Sequence, residues 1–179
     1  MTAVQNTRNN LRKVINRYNK NLSPLGVSVN KYTSPNYFDV TYGNSLIIVE
    51  TRPHKLSATL ANGYTHQNNR GKGIATMLRT FATAILRNAG FVRIRHQGAF
   101  FSNTNKNKTG GLPITTHIVR KHLGFHPVRG SNANGNYRSV WRPNNIGKKR
   151  LKRSEKLSRN RLVSLRNRNN YQRTVLQHS

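Results

Sequence analysis

Three acids against 32 lysines and arginines constrain this chain more than any other feature. Asp39, Glu50 and Glu155 are its only side-chain carboxylates in 179 residues, and its formal net charge is +29. Ion-pair networks cannot hold such a fold, because nearly every cation lacks an internal partner. The core must come from apolar patterning, and a compact body with this charge repels itself unless an external anion neutralises it. Nucleic acid or another polyanion is therefore the first partner to expect, with acidic protein surfaces second. No apolar run approaches a bilayer span, so no membrane partner is expected. The setting this implies is intracellular and not secreted, with a nucleoprotein particle or virion as one destination.

Cysteine is absent. That excludes disulfide scaffolds, thiolate catalysis and thiolate zinc sites. The six histidines between His54 and His126 show no ligand spacing with acids, so no metal site is expected. The length suits one compact domain followed by a tail.

Apolar periodicity gives the elements. Leu11, Val14, Ile15, Tyr18 and Leu22 fall on one helical stripe, which predicts a helix over 5–21. The basic, acid-free N-terminus also suits a transit peptide, but an amphipathic helix is the preferred reading. Alternating patterns follow at 27–29, 37–42 and 45–50, with Gly43-Asn44 as a hairpin turn. A fourth strand is predicted over about 56–66, where Gly63 marks a bulge or a close backbone approach. A helix over about 73–88, a strand at 91–95, a polar loop at 98–112, a short helix at 114–123, a strand opened by Gly124-Phe125 and a last strand at 137–141 complete the domain.

Between the fourth strand and the long helix lies Arg70-Gly71-Lys72-Gly73-Ile74-Ala75. Small residues let backbone amides close on a diphosphate, and the helix N-terminus adds the positive end of its dipole. Downstream stands Leu123-Gly124-Phe125-His126 at the end of a short helix. These two segments, in this order, resemble the signatures of the GNAT superfamily of acyl-coenzyme-A N-acetyltransferases. The resemblance covers residues 55–126. It implies an α/β (α+β) fold with a mixed, mostly antiparallel central sheet flanked by helices, whose fourth and fifth strands splay apart around acetyl-CoA. It also implies that Arg70, Gly71, Lys72, Gly73, Ile74 and Ala75 bind the cofactor and that the pantetheine arm follows Ala61–His66.

Several positions depart from the family. Arg120 occupies the place of the tyrosine that usually protonates the leaving thiolate, and an arginine does not readily donate a proton. No acid lies between Glu50 and Glu155, which leaves His66 and Tyr64 as the titratable candidates for a catalytic base. One helix precedes the strands where the family usually has a strand and two helices. The loop at 98–112, with Lys106 and Lys108, suits a lid or an anion contact, although a plain surface loop is the more economical reading. Tyr42, Tyr64, Phe100 and Phe101 lie near basic residues, as a base-stacking surface requires.

After Pro143 the composition shifts. The expected organisation is a domain at 1–143 and a basic tail at 144–179, partly helical or disordered until it binds. Lys148, Lys149, Arg150, Lys152, Arg153, Arg159, Arg161, Arg166 and Arg168 are its candidate nucleic-acid contacts. Two functions remain open: an N-acetyltransferase-type enzyme with a basic surface, or a catalytically inactive GNAT-fold component of a nucleoprotein particle.

Overall fold

The computed structural model describes residues 2–32, 34, 36–98, 114–128 and 137–177. Helix α1 (Ala3–Leu22) opens on Thr2, whose hydroxyl accepts from the Gln5 amide at 3.3 Å. It buries the predicted stripe: Leu11, Val14, Ile15, Tyr18 and Leu22. Strands β1 (Val27–Lys31), β2 (Tyr37–Tyr42), β3 (Ser45–Arg52) and β4 (Ser57–Tyr64) then run antiparallel in succession. The β2–β3 hairpin closes at Gly43-Asn44, with Gly43 at φ 52, in the left-handed region that such two-residue turns require.

The next strand is parallel to β4, so the chain must cross over. Helix α2 (Ile74–Asn88) makes that crossing and β5 (Arg93–Gly98) follows it. The helix stops as predicted at Ala89-Gly90. Gly90 has φ 95, its amide bonds Arg87 O, and the Phe91 amide bonds Leu86 O, the paired closure of a left-handed helix cap. Helix α3 (Ile114–Leu123) leads to the short β6 (His126–Pro127) and to β7 (Tyr137–Trp141). The seven strands lie in the order β1-β2-β3-β4-β5-β7-β6, antiparallel except for β4 and β5. This is the mixed, mostly antiparallel sheet that the resemblance implies. The polar loop at 98–112, apart from Gly98, lies outside the described residues, and with it Phe100, Phe101, Lys106 and Lys108.

One sheet face carries Val27, Val29, Phe38, Val40, Ile47, Val49, Ala58, Leu60 and Ile94, all buried. Helix α1 packs there against β1, α2 against β2, β3 and β4, and α3 against β5 and β7. On the opposite face, Tyr37, Arg93, Arg95, Gln97 and Arg138 are exposed.

The basic segment after Pro143 forms helix α4 (Asn145–Gln177). Leu151, Ser154, Ser158 and Leu162 recur at helical spacing and are buried against α2 and α3. Leu151 and Leu162 belong to the same apolar cluster as the sheet core. Gly124 and Gly147 permit the close start. A methyl group on Gly124 would come within 2.9 Å of the Gly147 Cα, and Gly124 also needs φ 76 to end α3. Glu155 then ties the helix down. Its Oε1 accepts from the Tyr18 hydroxyl at 2.8 Å and from Arg159 Nη2 at 3.1 Å, while Asn88 donates to the same hydroxyl at 2.9 Å. The Arg159 guanidinium lies over the rings of Tyr18 and Phe81.

This docking makes a clear prediction. Leu162→Ala should lower unfolding stability by about 2–4 kcal/mol, the usual cost of emptying a fully buried leucine site. Fluorescence of the single, fully buried Trp141 in urea reports it. A loss below about 0.5 kcal/mol, the level of an exposed substitution, would mean that α4 does not dock.

Candidate functional site

The Gly-rich loop is held in shape by its neighbours. Ser45 is fully buried, and its hydroxyl accepts from the His66 amide at 2.9 Å and from Asn69 Nδ2 at 3.0 Å. A short turn at Gln67–Asn69 carries the chain off β4. Gly71 and Gly73 both sit at φ 73, a conformation that glycine adopts without strain. Gly73 begins α2 with no side-chain cap, so the first-turn amides of the helix keep their hydrogen-bonding capacity. Ile74, Met77 and Leu78, all buried, fix the helix end beneath the loop.

A cation from another element faces this loop. A methyl group on Gly73 would lie 2.8 Å from Arg161 Nη1 and 3.0 Å from its Cζ. The guanidinium, carried by α4, therefore rests directly on the Gly73 backbone. A positive charge on a helix N-terminus opposes the macrodipole. Arg70 and Lys72 of the same loop are exposed, and Arg70 Nε donates to Thr65 O at 3.5 Å.

Strands β4 and β5 part nearby. Their pairing runs from Ser57–Arg93 to Leu60–His96 and ends there, although β4 continues to Tyr64 and β5 to Gly98. A register shift opposite Ile48 and Val49 bulges β4 at Ala61. Gly63, two residues on, is the site of the close approach: a methyl group there would meet Arg79 Nη2 at 2.7 Å and Ile47 Cδ1 at 3.0 Å.

Two polar side chains are buried at this parting without adequate partners. Arg79 on α2 is 4% exposed; its Nη1 donates to Ala75 O at 3.1 Å, and its Nε has no acceptor. Burial lowers its pKa to about 10. His96 on β5 is also 4% exposed, and neither ring nitrogen has a partner. Burial first, and then the charges of Arg79 and Arg120, push its pKa down to about 3, so the imidazole is neutral at neutral pH. Sequence reading missed both. Nothing in the sequence marks them: only in the structure is α2 buried at every position from Met77 to Leu86, which leaves a cation among them no solvent-facing side.

The other predicted residues are placed as follows. His66 caps the turn at 67–69, its Nδ1 accepting from the Asn68 amide at 3.3 Å. Tyr64 is 51% exposed, its ring centroid 6.4 Å from that of His66. Arg120 lies against β7, donating from Nε to Ser139 Oγ at 2.8 Å and from Nη2 to Arg138 O at 3.3 Å, and Ser139 is the β7 residue paired with His96. Tyr42 packs against the core instead of standing free. On α4, Arg150 Nη1 donates to Arg120 O at 3.2 Å and Arg159 pairs with Glu155. Lys148, Lys149, Lys152, Arg153, Arg166 and Arg168 are exposed. On the uncovered sheet face, Thr59, Arg93, Arg95, Gln97 and Arg138 line a groove of about 340 Å³. Among the described residues no cluster of three metal-ligating side chains occurs, and no helix is long and apolar enough to cross a membrane.

No family model matches the sequence, and no curated protein matches it. Among solved structures the chain is similar to N-acetylglutamate synthase from Neisseria gonorrhoeae, complexed with coenzyme A and N-acetyl-glutamate. The identity is 13% and the TM-score 0.36, over 73% of this chain and 32% of that one. The chain thus spans about a third of that protein's length, and a likeness at this level says nothing of activity.

The state of His96 has a consequence for acid stability. Its folded pKa lies below the unfolded value of about 6.5, so between the two the unfolded chain binds more protons. The stability this contributes is present above pH 6.5 and is lost as the pH falls toward 3. With three carboxylates in the chain, ordinary acid titration adds little. Unfolding free energy should be about 1–2 kcal/mol lower at pH 5 than at pH 7, and His96→Asn should flatten that dependence. Equal pH profiles for the two proteins would place His96 in water.

Proposed function

We propose that the protein binds an acyl-coenzyme A, with its diphosphate on the loop Arg70–Ala75, and acts at the surface of a nucleic acid. The observation that carries the first half is the uncapped N-terminus of α2 facing Arg161 beside the parted strands β4 and β5. Backbone amides, the helix dipole and the cations of Arg70, Lys72 and Arg161 converge where a diphosphate relieves their repulsion. Beyond Leu60, the edge of β4 that no longer pairs with β5 is where the pantetheine arm would run.

Catalysis is the weaker part of this reading. His66 is engaged as a turn cap, and Arg120 is tied to Ser139 and does not readily release a proton. Acetyl transfer to a generic amine should therefore be slow or undetectable. A GNAT-fold protein in which binding outlasts catalysis, as a component of a nucleoprotein particle or virion, is the second reading. The +29 charge favours it.

Titration calorimetry with acetyl-CoA tests the cofactor site. Substitution of Gly73 strains the backbone at φ 73 whatever the ligand does, so Arg161→Glu and Lys72→Ala, both at exposed positions, are the cleaner variants. Arg161→Glu should weaken binding about tenfold or more, a loss of about 1.4 kcal/mol. Unchanged affinity in both variants would remove the loop as the phosphate site.

The nucleic-acid half rests on α4. Its exposed cations run from Lys148 to Arg168, about 30 Å along a helix, while its buried residues face α2 and α3. Six to eight phosphate contacts give a slope of log affinity against log salt of roughly −5 to −7 on duplex DNA. Replacing Lys148, Lys149, Lys152 and Arg153 by glutamine should flatten it by about 3–4, since each contact contributes about 0.9. An unchanged slope would move the site off α4, and the groove at Arg93, Arg95 and Arg138 would be the next candidate.

A further inference from the structure

The chain has three side-chain carboxylates, and each is engaged away from Arg79. Asp39 accepts from Asn30 and Tyr32, Glu50 from Arg52, and Glu155 from Tyr18 and Arg159. Arg79 is nonetheless a buried guanidinium whose one hydrogen bond reaches a carbonyl of its own helix. A buried charge is costly unless it is paired, and a charge held for packing alone is usually replaceable by an apolar side chain without loss. Among the described residues no side chain supplies the missing partner.

The position of the group is informative. Its Nη2 rests on Gly63, in the part of β4 that lies beyond the last pairing with β5, and a side chain at residue 63 would displace it. His96 occupies the last position of β5 that pairs with β4, buried, with two unpartnered ring nitrogens. Near the parting, each group thus keeps a buried nitrogen without a partner: Nε of the Arg79 guanidinium, whose Nη1 is bonded to Ala75 O, and the ring nitrogens of His96.

We propose that Arg79 and His96 form an internal site for a small carboxylate at the parting of β4 and β5. The planar fork of Arg79 suits a carboxylate better than a point cation would, and a neutral imidazole donates one hydrogen bond to the same anion. The carboxylate arrives either as the far end of a dicarboxylic acyl group on coenzyme A or as a free acid that accepts the acyl group. The first source rests on the acyl-coenzyme-A reading above; the site itself does not.

The test uses the full-length protein with succinate, acetyl-CoA and succinyl-CoA as probes, and Arg79→Met and Arg79→Lys as variants. Sodium succinate should raise the melting temperature of the wild type above that in sodium chloride of equal ionic strength, and should not do so for Arg79→Met. Without succinate, Arg79→Met should melt no lower than the wild type, since it removes an unpaired buried charge. Arg79→Lys, which keeps the charge and loses the fork, should retain part of the succinate effect and remains informative should Arg79→Met not fold. Succinyl-CoA binding about tenfold or more tightly than acetyl-CoA, with the difference gone in Arg79→Met, assigns the carboxylate to the acyl group. An Arg79-dependent effect of free succinate, with both thioesters bound equally, assigns it to the acceptor. The same effect with neither thioester bound leaves the carboxylate site standing and removes the acyl-coenzyme-A reading. A succinate effect equal in wild type and Arg79→Met, or succinate indistinguishable from chloride, overturns the proposal.

Discussion

Glu155 holds the most cationic element of this molecule against the rest of it. One carboxylate oxygen receives the Tyr18 hydroxyl from α1 and the Arg159 guanidinium from its own helix, and Asn88 at the end of α2 completes the joint. Burial and the adjacent carboxylate push the Tyr18 pKa up to about 12, so the phenol stays a donor over the whole neutral range. In a chain of net charge +29, a helix that carries one acid among its cations gains nothing from general electrostatics. It docks because a buried hydrogen-bonded carboxylate is combined with the apolar contacts of Leu151 and Leu162. A hydrogen bond to a charged group in a half-buried joint is worth more than its exposed counterpart.

That docking shapes the candidate site. With α4 in place, Arg161 rests on Gly73 at the start of α2. A charge that would be ordinary surface on a free helix is thereby placed on the start of α2, next to the loop that carries Arg70 and Lys72. The parting of β4 and β5 has a separate origin. A single parallel pair, forced by the α2 crossover, sits between two antiparallel arrangements and ends at Leu60 and His96. The bulge at Ala61 turns β4 away, and the guanidinium of Arg79 fits under Gly63 as a result. The Gly-rich loop and the parted strands meet because both sit at the end of β4.

The local features were legible in the chain. Apolar spacing located α1 and α2 to within two residues, the hairpin at Gly43-Asn44 closed where its composition indicated, and the Gly-rich turn preceded a helix. The warning carried by Gly63 was sound, though the bulge itself lies at Ala61 and the close approach at Gly63. The strand expected at Gly124-Phe125 begins at His126, because Gly124 is needed in the left-handed conformation that ends α3. The composition break after Pro143 was real, yet it does not separate a tail from a domain. Four buried positions at helical spacing are enough to dock a helix whose remaining surface is basic.

The sequence by itself determined the charge, the scarcity of acids, the order of elements and the anion-ready turn, because each depends on composition or on neighbours a few positions apart. Tertiary structure decided the rest. Arg79 and His96 look in the sequence like any basic residues. They become buried groups with unpartnered nitrogens only when α2 covers the sheet and β5 aligns with β4 at Leu60. Arg161 is one cation among many in the chain, and only the packing of α4 on α2 brings it to Gly73. Periodicity records which face of an element turns inward. It does not record what lies opposite that face, and the chemistry of this site depends on groups brought together across such faces.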